Sequence, residues 1–343
     1  MRRFSSLTGA ALVAAACSNA GAGRVLTITG VGRVVGQAYF DVNGNRALDA
    51  GDTPFQGVGI RLIAAGTVDT VARATTNGAG TFTFTGVTAG SYTLAVDTAG
   101  VAGDTVRVTR VDTSAFTISP GDTEQVTIAI GYPEYSIRAA RALPLGTRAF
   151  IVGVALSGTV NGASGQTGIF GDSTVNIADT SGAARVVGLR NAVVGIGDSN
   201  RYLVRVQRDP IDNTLRAFAF GSLSLIGLPG GALTPVDTMT AAQAAGANGG
   251  QADAALVTIV DTVVVQDTAT ILGLHGPYRR MHVVDAVAPA GALEVRLDSL
   301  AGFVPSAMLK DTVNAKVVLS GLLVPTGVAG VWTLKPRAPG DQH

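Results

Sequence analysis

Short runs rich in valine and threonine, separated by glycine, asparagine or aspartate, recur along most of this chain. Two of them, Thr81-Phe82-Thr83-Phe84 and Tyr92-Thr93-Leu94-Ala95-Val96, alternate polar and apolar residues as half-buried strands do. Asn77-Gly78-Ala79-Gly80 has the composition of a turn between strands. β-Branched residues favour strands, and 45 glycines among 343 residues divide the chain into short pieces. The sequence therefore predicts an all-β protein.

The strand-like runs group into three passages. Residues 31–132 contain seven short runs at regular spacing, which predicts a Greek-key β-sandwich. Residues 134–227 and 237–341 each begin with a short helical segment and continue as strands. The segment 228–236, which contains proline and glycine, reads as a linker between them. We expect three domains.

A loop near the start of the first passage has the spacing of a calcium-binding loop. Oxygen-bearing side chains fall at loop positions 1, 3, 5, 9 and 12, and position 7 offers a backbone carbonyl. These six predicted ligands of Ca²⁺ are Asp41, Asn43, Asn45, Ala47, Asp49 and Asp52. Calcium suits such a loop because it takes about six to eight oxygen ligands.

The loop departs from the usual calcium pattern twice. Arg46 stands at position 6, where a glycine normally makes the sharp turn, and Gly44 is a candidate to make that turn instead. Asp52 is shorter than the usual glutamate, which predicts weak binding, in the range of roughly 0.1–1 mM. The alternative is a surface turn that binds nothing, since asparagine and aspartate favour turns in any case.

The N-terminus has the form of an export signal. Two arginines follow Met1, residues 4–16 are mostly apolar, and three alanines precede Cys17. Cys17 is the only cysteine, so no intrachain disulfide is expected. The segment resembles a bacterial lipoprotein lipobox, with Ala14 in place of the usual leucine. We predict a signal peptide at 1–17, lipidation of Cys17 and a flexible tether at 18–30; the alternative is an ordinary secretory peptide.

The order of motifs in the first passage resembles the B-type repeat of serine-aspartate-repeat surface proteins. The matching segments are 36–41, the calcium-type loop, 57–62, 75–84 and 90–94. The resemblance implies a prealbumin-like β-sandwich whose bound calcium stiffens a stalk or spacer. Only one copy is present, so a long stalk of tandem repeats is not expected.

The two later passages resemble OB-fold modules of exported bacterial proteins. The similarity rests on Leu143-Pro144-Leu145-Gly146-Thr147 in the first and on Trp332-Thr333-Leu334-Lys335-Pro336-Arg337 at the end of the second. It implies two OB-like β-barrels after the sandwich; another pair of sandwiches is the alternative.

Residues that could bind a ligand are sparse in these two passages. Residues 134–227 carry nine arginines against six acidic residues, and Arg185 and Arg201 belong to a candidate basic face. Trp332, the only tryptophan, is a candidate contact for a sugar, with core packing as its alternative. Single-strand binders need exposed aromatic rings, which are few here, so a nucleic-acid partner is not expected.

The sequence favours a non-enzymatic role. It contains no recognisable nucleophile elbow, phosphate loop or zinc-protease motif, and a formal net charge of +1 gives no overall field for steering a charged partner. We predict an exported protein of the cell envelope, stabilised by calcium, with a structural or binding role and a polysaccharide or protein as ligand. Its only membrane contact would be the lipid anchor. The alternative is a nucleic-acid- or polysaccharide-binding accessory protein that acts through the OB-like domains.

Overall fold

The computed structural model describes residues 30–97, 106–158, 174–189, 193–228, 237–260, 262–273, 276–287, 291–298, 312–337 and 341. The predicted signal peptide, Cys17, the tether up to residue 29 and residues 229–236 of the linker lie outside this part of the chain. Nearly all regular structure in the described residues is β, with two helices of five residues each. The prediction of an all-β protein is therefore confirmed.

The first module is a sandwich of two sheets. Its strands are β1 (Val31–Phe40), β2 (Thr53–Pro54), β3 (Gly59–Ala64), β4 (Thr70–Thr75), β5 (Thr81–Thr88), β6 (Gly90–Asp97), β7 (Arg107–Val111), β8 (Ala115–Ile118) and β9 (Thr123–Gly131). One sheet has the order β2-β1-β9-β7, with β5 also paired to β1, and the other has the order β4-β3-β6-β8. Apolar side chains of both sheets, among them Val34, Ile60, Phe82 and Ile128, form one buried core. The predicted sandwich is confirmed.

The second module contains a closed barrel. Its elements are β10 (Glu134–Tyr135), α1 (Ile137–Arg141), β11 (Arg148–Ala155), β12 (Val175–Asp179), β13 (Gly182–Val187), β14 (Ser199–Arg208) and β15 (Arg216–Gly227). The pairing runs β11-β12-β13-β15-β14, and β14 pairs back onto β11. Numbered along the chain, the five strands follow the order 1-2-3-5-4, with the third and fifth parallel. A five-stranded barrel is therefore present in this module, and its assignment to the OB fold stays a prediction.

The third module pairs its strands in a similar way to the second module, but its sheet has more strands. Its elements are β16 (Asp237–Met239), α2 (Ala241–Ala245), β17 (Leu256–Ile259), β18 (Val263–Gly273), β19 (Gly276–Asp285), β20 (Leu293–Asp298), β21 (Lys316–Val317), β22 (Ser320–Pro325) and β23 (Trp332–Lys335). The sheet order is β16-β17-β22-β23-β20-β19-β18-β21. Only two residues separate β21, at one end of this order, from β22, near the other end, so the sheet curls back on itself.

The second and third modules fix their helices in the same way. Ser136 and Thr240 are the N-caps of α1 and α2, and each side chain accepts a backbone N–H of its own helix. Asp179, at the end of β12, accepts the N–H of the first helical residue of α1 at 2.8 Å. Asp285, at the end of β19, does the same for α2 at 3.0 Å. The shared arrangement supports the predicted relationship between the two passages.

A buried charge network joins these two modules. The Arg185 guanidinium, which is 1% exposed, donates from Nε to Asp209 at 2.6 Å and from Nη1 and Nη2 to the two carboxylate oxygens of Asp253 at 3.0 Å each. Asp253 belongs to the third module and also accepts the Trp332 indole N–H at 2.9 Å and an Arg141 N–H at 2.8 Å. Two positive and two negative side chains from both modules therefore share one interior site.

The network keeps Arg185 charged in spite of its burial. Burial alone would lower the pKa of the Arg185 guanidinium, but the carboxylates of Asp253 and Asp209 outweigh it and raise that pKa. Each charge depends on its partners, since an unpaired ion in the interior is strongly unfavourable. Asn176 adds a neutral contact between the modules, because its amide donates to the Ala254 carbonyl at 2.9 Å.

We predict that Asp253→Ala lowers the free energy of unfolding of these two modules by about 3–5 kcal/mol, because it leaves Arg185 buried without its bidentate partner. Asp112→Ala is the control, since Asp112 pairs with Arg110 on the exposed surface, and it is expected to cost roughly 0–1 kcal/mol. Denaturant unfolding measures both variants. Equal losses for the two would show that the interior network does not hold the modules together.

Candidate metal centre

The predicted calcium loop connects β1 to β2 and is anchored at its first residue. Asp41 directly follows β1, and its backbone N–H donates to the Ile130 carbonyl of β9 at 2.8 Å. The Asp41 side chain is 1% exposed, whereas most of the loop around it lies at the surface. The first predicted ligand is therefore held in a fixed position by the sandwich core.

Alternate side chains of the loop turn toward its own backbone. The side-chain oxygen of Asn43 accepts the N–H of Asn45 at 2.9 Å, and that of Asn45 accepts the N–H of Ala47 at 2.7 Å. Asp49 accepts the N–H of Gly51 at 3.0 Å in the same way. Each such bond occupies one lone pair of an oxygen that has two, so further acceptor capacity remains on every one of these side chains.

The carboxylates of Asp41 and Asp52 accept hydrogen bonds from backbone N–H groups elsewhere in the loop. Asp41 accepts the N–H groups of Asn45 and Arg46 at 3.2 and 2.8 Å, and Asp52 accepts those of Val42 and Asp49 at 3.1 and 3.0 Å. The amide groups of Asn43 and Asn45 both donate to one oxygen of Asp49, at 2.7 and 2.9 Å. The five predicted side-chain ligands therefore form one hydrogen-bonded cluster.

The cluster carries an excess of negative charge. Burial raises the pKa of the Asp41 carboxyl, the Asp52 carboxylate raises it further, and backbone hydrogen bonds act against both. Burial together with the carboxylates of Asp41 and Asp52 raises the pKa of Tyr39 to about 12. The pKa of the Asp49 carboxyl moves the other way, because hydrogen bonds from Gly51, Asn43 and Asn45 lower it. Negative charge is therefore disfavoured at Asp41 and Tyr39 but not at Asp49, and a cation bound beside Asp41 would offset the effect there.

The donor set suits calcium better than a transition metal. In the part of the chain that the structure describes, no group of three or more His, Cys, Asp or Glu side chains could hold a metal by itself. A cation in this loop would need the two asparagine amides and the Ala47 carbonyl beside the three carboxylates. Hard cations such as calcium accept this mixture of oxygens, so the residues fit Ca²⁺.

Arg46 adopts the backbone conformation of the glycine that it replaces. Its φ is +61°, in the left-handed region, and Gly44 also has a positive φ of +70°. The sequence suggested that Gly44 makes the turn in place of Arg46, whereas both residues make it. An L-residue other than glycine is strained in this region, so the loop stores strain at position 6.

The loop also lies against the second module. A Cβ atom on Gly44 would lie 2.8 Å from a ring carbon of Phe150 on β11, so only glycine fits there without a shift. Phe150 packs with Tyr132, whose ring meets that of Phe40 edge-on at 5.7 Å between centroids. Arg148 donates to the Tyr132 hydroxyl at 2.9 Å. The joint between the first two modules is thus an aromatic cluster in contact with the candidate calcium loop.

The three predicted ligand-binding residues do not share a surface. Arg185 and Trp332 are both buried and bonded to Asp253, so their polar atoms face the interior. The burial of Trp332 agrees with core packing, which was the alternative to a sugar contact for this residue. Arg201 is partly exposed, and its Nε donates to Glu134 at 2.9 Å.

A different basic and aromatic pair occurs in the third module, where sequence reasoning did not place one. The Arg296 guanidinium lies 3.9 Å from the centroid of the Tyr278 ring, and Arg280 stands directly opposite Arg296 in the register of β19 and β20. The signal in the sequence was the alternation of Tyr278 and Arg280 with the buried Met281 and Val283. We call Tyr278, Arg280 and Arg296 the Arg–Tyr face.

Comparison with known proteins supports the assignment of the first module. Residues 31–140 match the SdrD B-like domain family, so the resemblance to B-type repeats is confirmed. This family consists of structural, non-enzymatic domains of cell-surface proteins. No curated protein matches the chain.

Likenesses to solved structures are remote. GBS52, the minor pilin of Streptococcus agalactiae, is 18% identical over 31% of this chain and 46% of its own, with a TM-score of 0.23. The shaft pilin SpaA from Lactobacillus rhamnosus GG is 13% identical over 59% and 98%, with a TM-score of 0.20. A replication protein A heterotrimer bound to single-stranded DNA is 10% identical over 81% and 91%, with a TM-score of 0.22. This chain spans less than half of the GBS52 chain, and TM-scores this low carry no functional argument.

None of the helices in the described ranges has the length and apolar character needed to cross a membrane.

We predict that Arg46→Gly stabilises the first module by about 0.5–1 kcal/mol, because relief of the left-handed conformation, about 1–2 kcal/mol, exceeds the extra chain entropy of glycine, about 0.5–1 kcal/mol. Ala50→Gly is the matched control, since Ala50 lies in the same loop and has no positive φ; it is expected to be neutral or destabilising. Thermal unfolding in the absence of calcium measures both. A loss of stability in Arg46→Gly would refute the strain assigned to position 6.

Proposed function

We propose that this protein is an exported, structural cell-surface protein in which a calcium-stabilised sandwich holds the second and third modules in place. The observation that carries the proposal is the hydrogen-bonded cluster formed by the five predicted side-chain ligands of the loop. The match of residues 31–140 to the SdrD B-like family supports the surface role. The proposal includes attachment to the membrane by a lipid on Cys17, which places the sandwich next to the anchor.

Calcium would act by linking parts of the loop that are distant along the chain. Asp41 extends from the end of β1, and Asp52 lies just before β2, so an ion bound to both fixes the two ends of the loop. Any ligand that binds only the folded state stabilises it by mass action. Because the loop contacts Phe150 through Gly44, a fixed loop also restrains the aromatic joint to the second module.

The affinity is expected to be modest. Asp52 has a shorter side chain than the usual glutamate, so it is less able to bind the ion through both carboxylate oxygens. A dissociation constant of roughly 0.1–1 mM is typical of extracellular calcium modules. The site would therefore be filled outside the cell, where calcium is abundant, and largely empty inside it.

We predict that isothermal titration calorimetry detects one calcium site in the whole chain and none in the double variant Asp41→Asn with Asp52→Asn. The amides keep the size of the carboxylates but remove two negative charges from the ligand set. Asp69→Asn, which removes an exposed carboxylate just before β4, is the control and should bind calcium as the unaltered protein does. Equal binding by the double variant and the control would assign the site elsewhere.

The Arg–Tyr face favours a second candidate function, the binding of an anionic chain through the third module. Arg280 and Arg296 stand directly opposite each other on neighbouring strands, and a phosphate or sulfate group could bind both guanidinium groups. The Nε atom of Arg280 is buried without a hydrogen-bond partner. The Tyr278 ring offers a surface on which a base could stack.

This second function is tested with a labelled single-stranded oligonucleotide and the whole chain at low salt. If the Arg–Tyr face binds it, Tyr278→Ala should weaken binding by about fivefold to a hundredfold, and added salt should weaken it steeply. Arg73→Gln, at an exposed position of β4, is the control and should leave binding unchanged. The absence of any binding at low salt would eliminate this candidate for nucleic acid.

A further inference from the structure

A cleft of about 520 Å³ lies between the second and third modules. One wall is the turn between β12 and β13 together with the start of α1, and the other contains β16 and the segment that follows α2. Its floor includes Ala183 and Ala252, and Ala252 directly precedes Asp253 of the buried network. The volume falls within the range of small-molecule sites, which often form where domains meet.

The rim of the cleft is rich in polar side chains that are not engaged by the protein. Six exposed side chains from both modules line it and make no side-chain hydrogen bond to any other described residue. They are Arg138, Thr180, Asp237, Thr238, Asn248 and Gln251. Together they offer two carboxamides, two hydroxyls, one guanidinium and one carboxylate, so donors and acceptors are mixed. The lining also contains the Asp179 carboxylate, but both of its oxygens already accept N–H groups of the protein, which leaves Arg138 and Asp237 as the charges open to a ligand.

This lining selects among classes of ligand. No aromatic side chain contributes to it, so it lacks the stacking surface that nucleic-acid bases need. An anionic ligand would meet Asp237 and a cationic ligand would meet Arg138. A sugar hydroxyl both donates and accepts hydrogen bonds, which matches the mixed groups of the lining. We propose that the cleft is a binding site for a neutral oligosaccharide.

The walls of the cleft are fixed before any ligand arrives. Asp179 accepts the N–H groups of Ser181 and Gly182 at 2.7 and 3.1 Å, which holds the turn between β12 and β13. On the other side, Thr240 and Gln243 form a capping box that holds the start of α2. The ion pair between Arg185 and Asp253 connects the modules that form the two walls. Such preorganisation reduces the ordering that binding would otherwise require.

The site is separate from the calcium loop and goes beyond the proposed structural role. None of the six rim residues belongs to the first module, so oligosaccharide binding should survive the removal of calcium. A failure to bind sugar would leave the calcium proposal untouched, and a failure to bind calcium would leave the cleft untouched.

The test uses the whole chain and a panel of malto-, cello-, laminari- and chito-oligosaccharides, with sulfated and uronic-acid oligosaccharides as the charged set. Binding is measured by calorimetry at millimolar ligand and by fluorescence of Trp332, whose ring lies near Gly250, next to Gln251. We expect at least one neutral oligosaccharide to bind and the charged set to bind more weakly. No binding in the neutral set, or tighter binding of the charged set, would overturn the proposal.

Two isosteric variants test the site itself. Asn248→Asp and Gln251→Glu keep the shape of each side chain but replace amide donors with negative charge, and each is expected to weaken binding about three- to tenfold. Gln125→Glu, at an exposed position of β9, is the matched control and should bind as the unaltered protein does. Equal binding by all three variants, with unchanged melting temperatures, would show that the sugar binds elsewhere.

Discussion

The pairing of Arg185 with Asp253 and Asp209 is the constraint on which the arrangement of the second and third modules depends. A guanidinium in the interior is tolerated only if its charge is matched and its N–H groups are bonded, and Asp253 supplies two of those bonds from the other module. Trp332 and Arg141 bind the same carboxylate. Separating the modules would take both guanidinium groups, those of Arg185 and Arg141, away from Asp253, so the network favours keeping the two modules together.

The joint between the first and second modules has a different physical basis. It is an aromatic cluster of Phe40, Tyr132 and Phe150, which is bordered by the candidate calcium loop at Gly44. Apolar contacts are less directional than paired charges, so this joint relies on the order of the loop beside it. The protein thus combines a buried charge network between its last two modules with a joint that a bound calcium ion would stiffen. This combination suits a structural role at the cell surface.

Local patterns in the sequence predicted local structure well. The alternation of polar and apolar residues in 81–84 and 92–96 predicted strands where β5 and β6 lie. The spacing from Asp41 to Asp52 predicted a loop, and its five polar side chains do cluster. Long-range pairing was not predictable, because nothing near Arg185 in the sequence indicates Asp253, 68 residues away. The Arg–Tyr face was missed for the same reason, since Tyr278 and Arg296 meet only through the register of two strands. The seven runs predicted in residues 31–132 became nine strands, because β2 has only two residues and β7, Arg-Val-Thr-Arg-Val, has the sequence of a partly exposed edge.

The most direct test of a calcium-stabilised surface module is thermal unfolding of the whole chain, first with EDTA and then with a few millimolar calcium. We expect the transition of the first module to move to a higher temperature with calcium, since binding to the folded state stabilises it. We expect the transition of the joined second and third modules to stay at the same temperature. If calcium moves neither transition, the loop is a turn and the central claim is wrong.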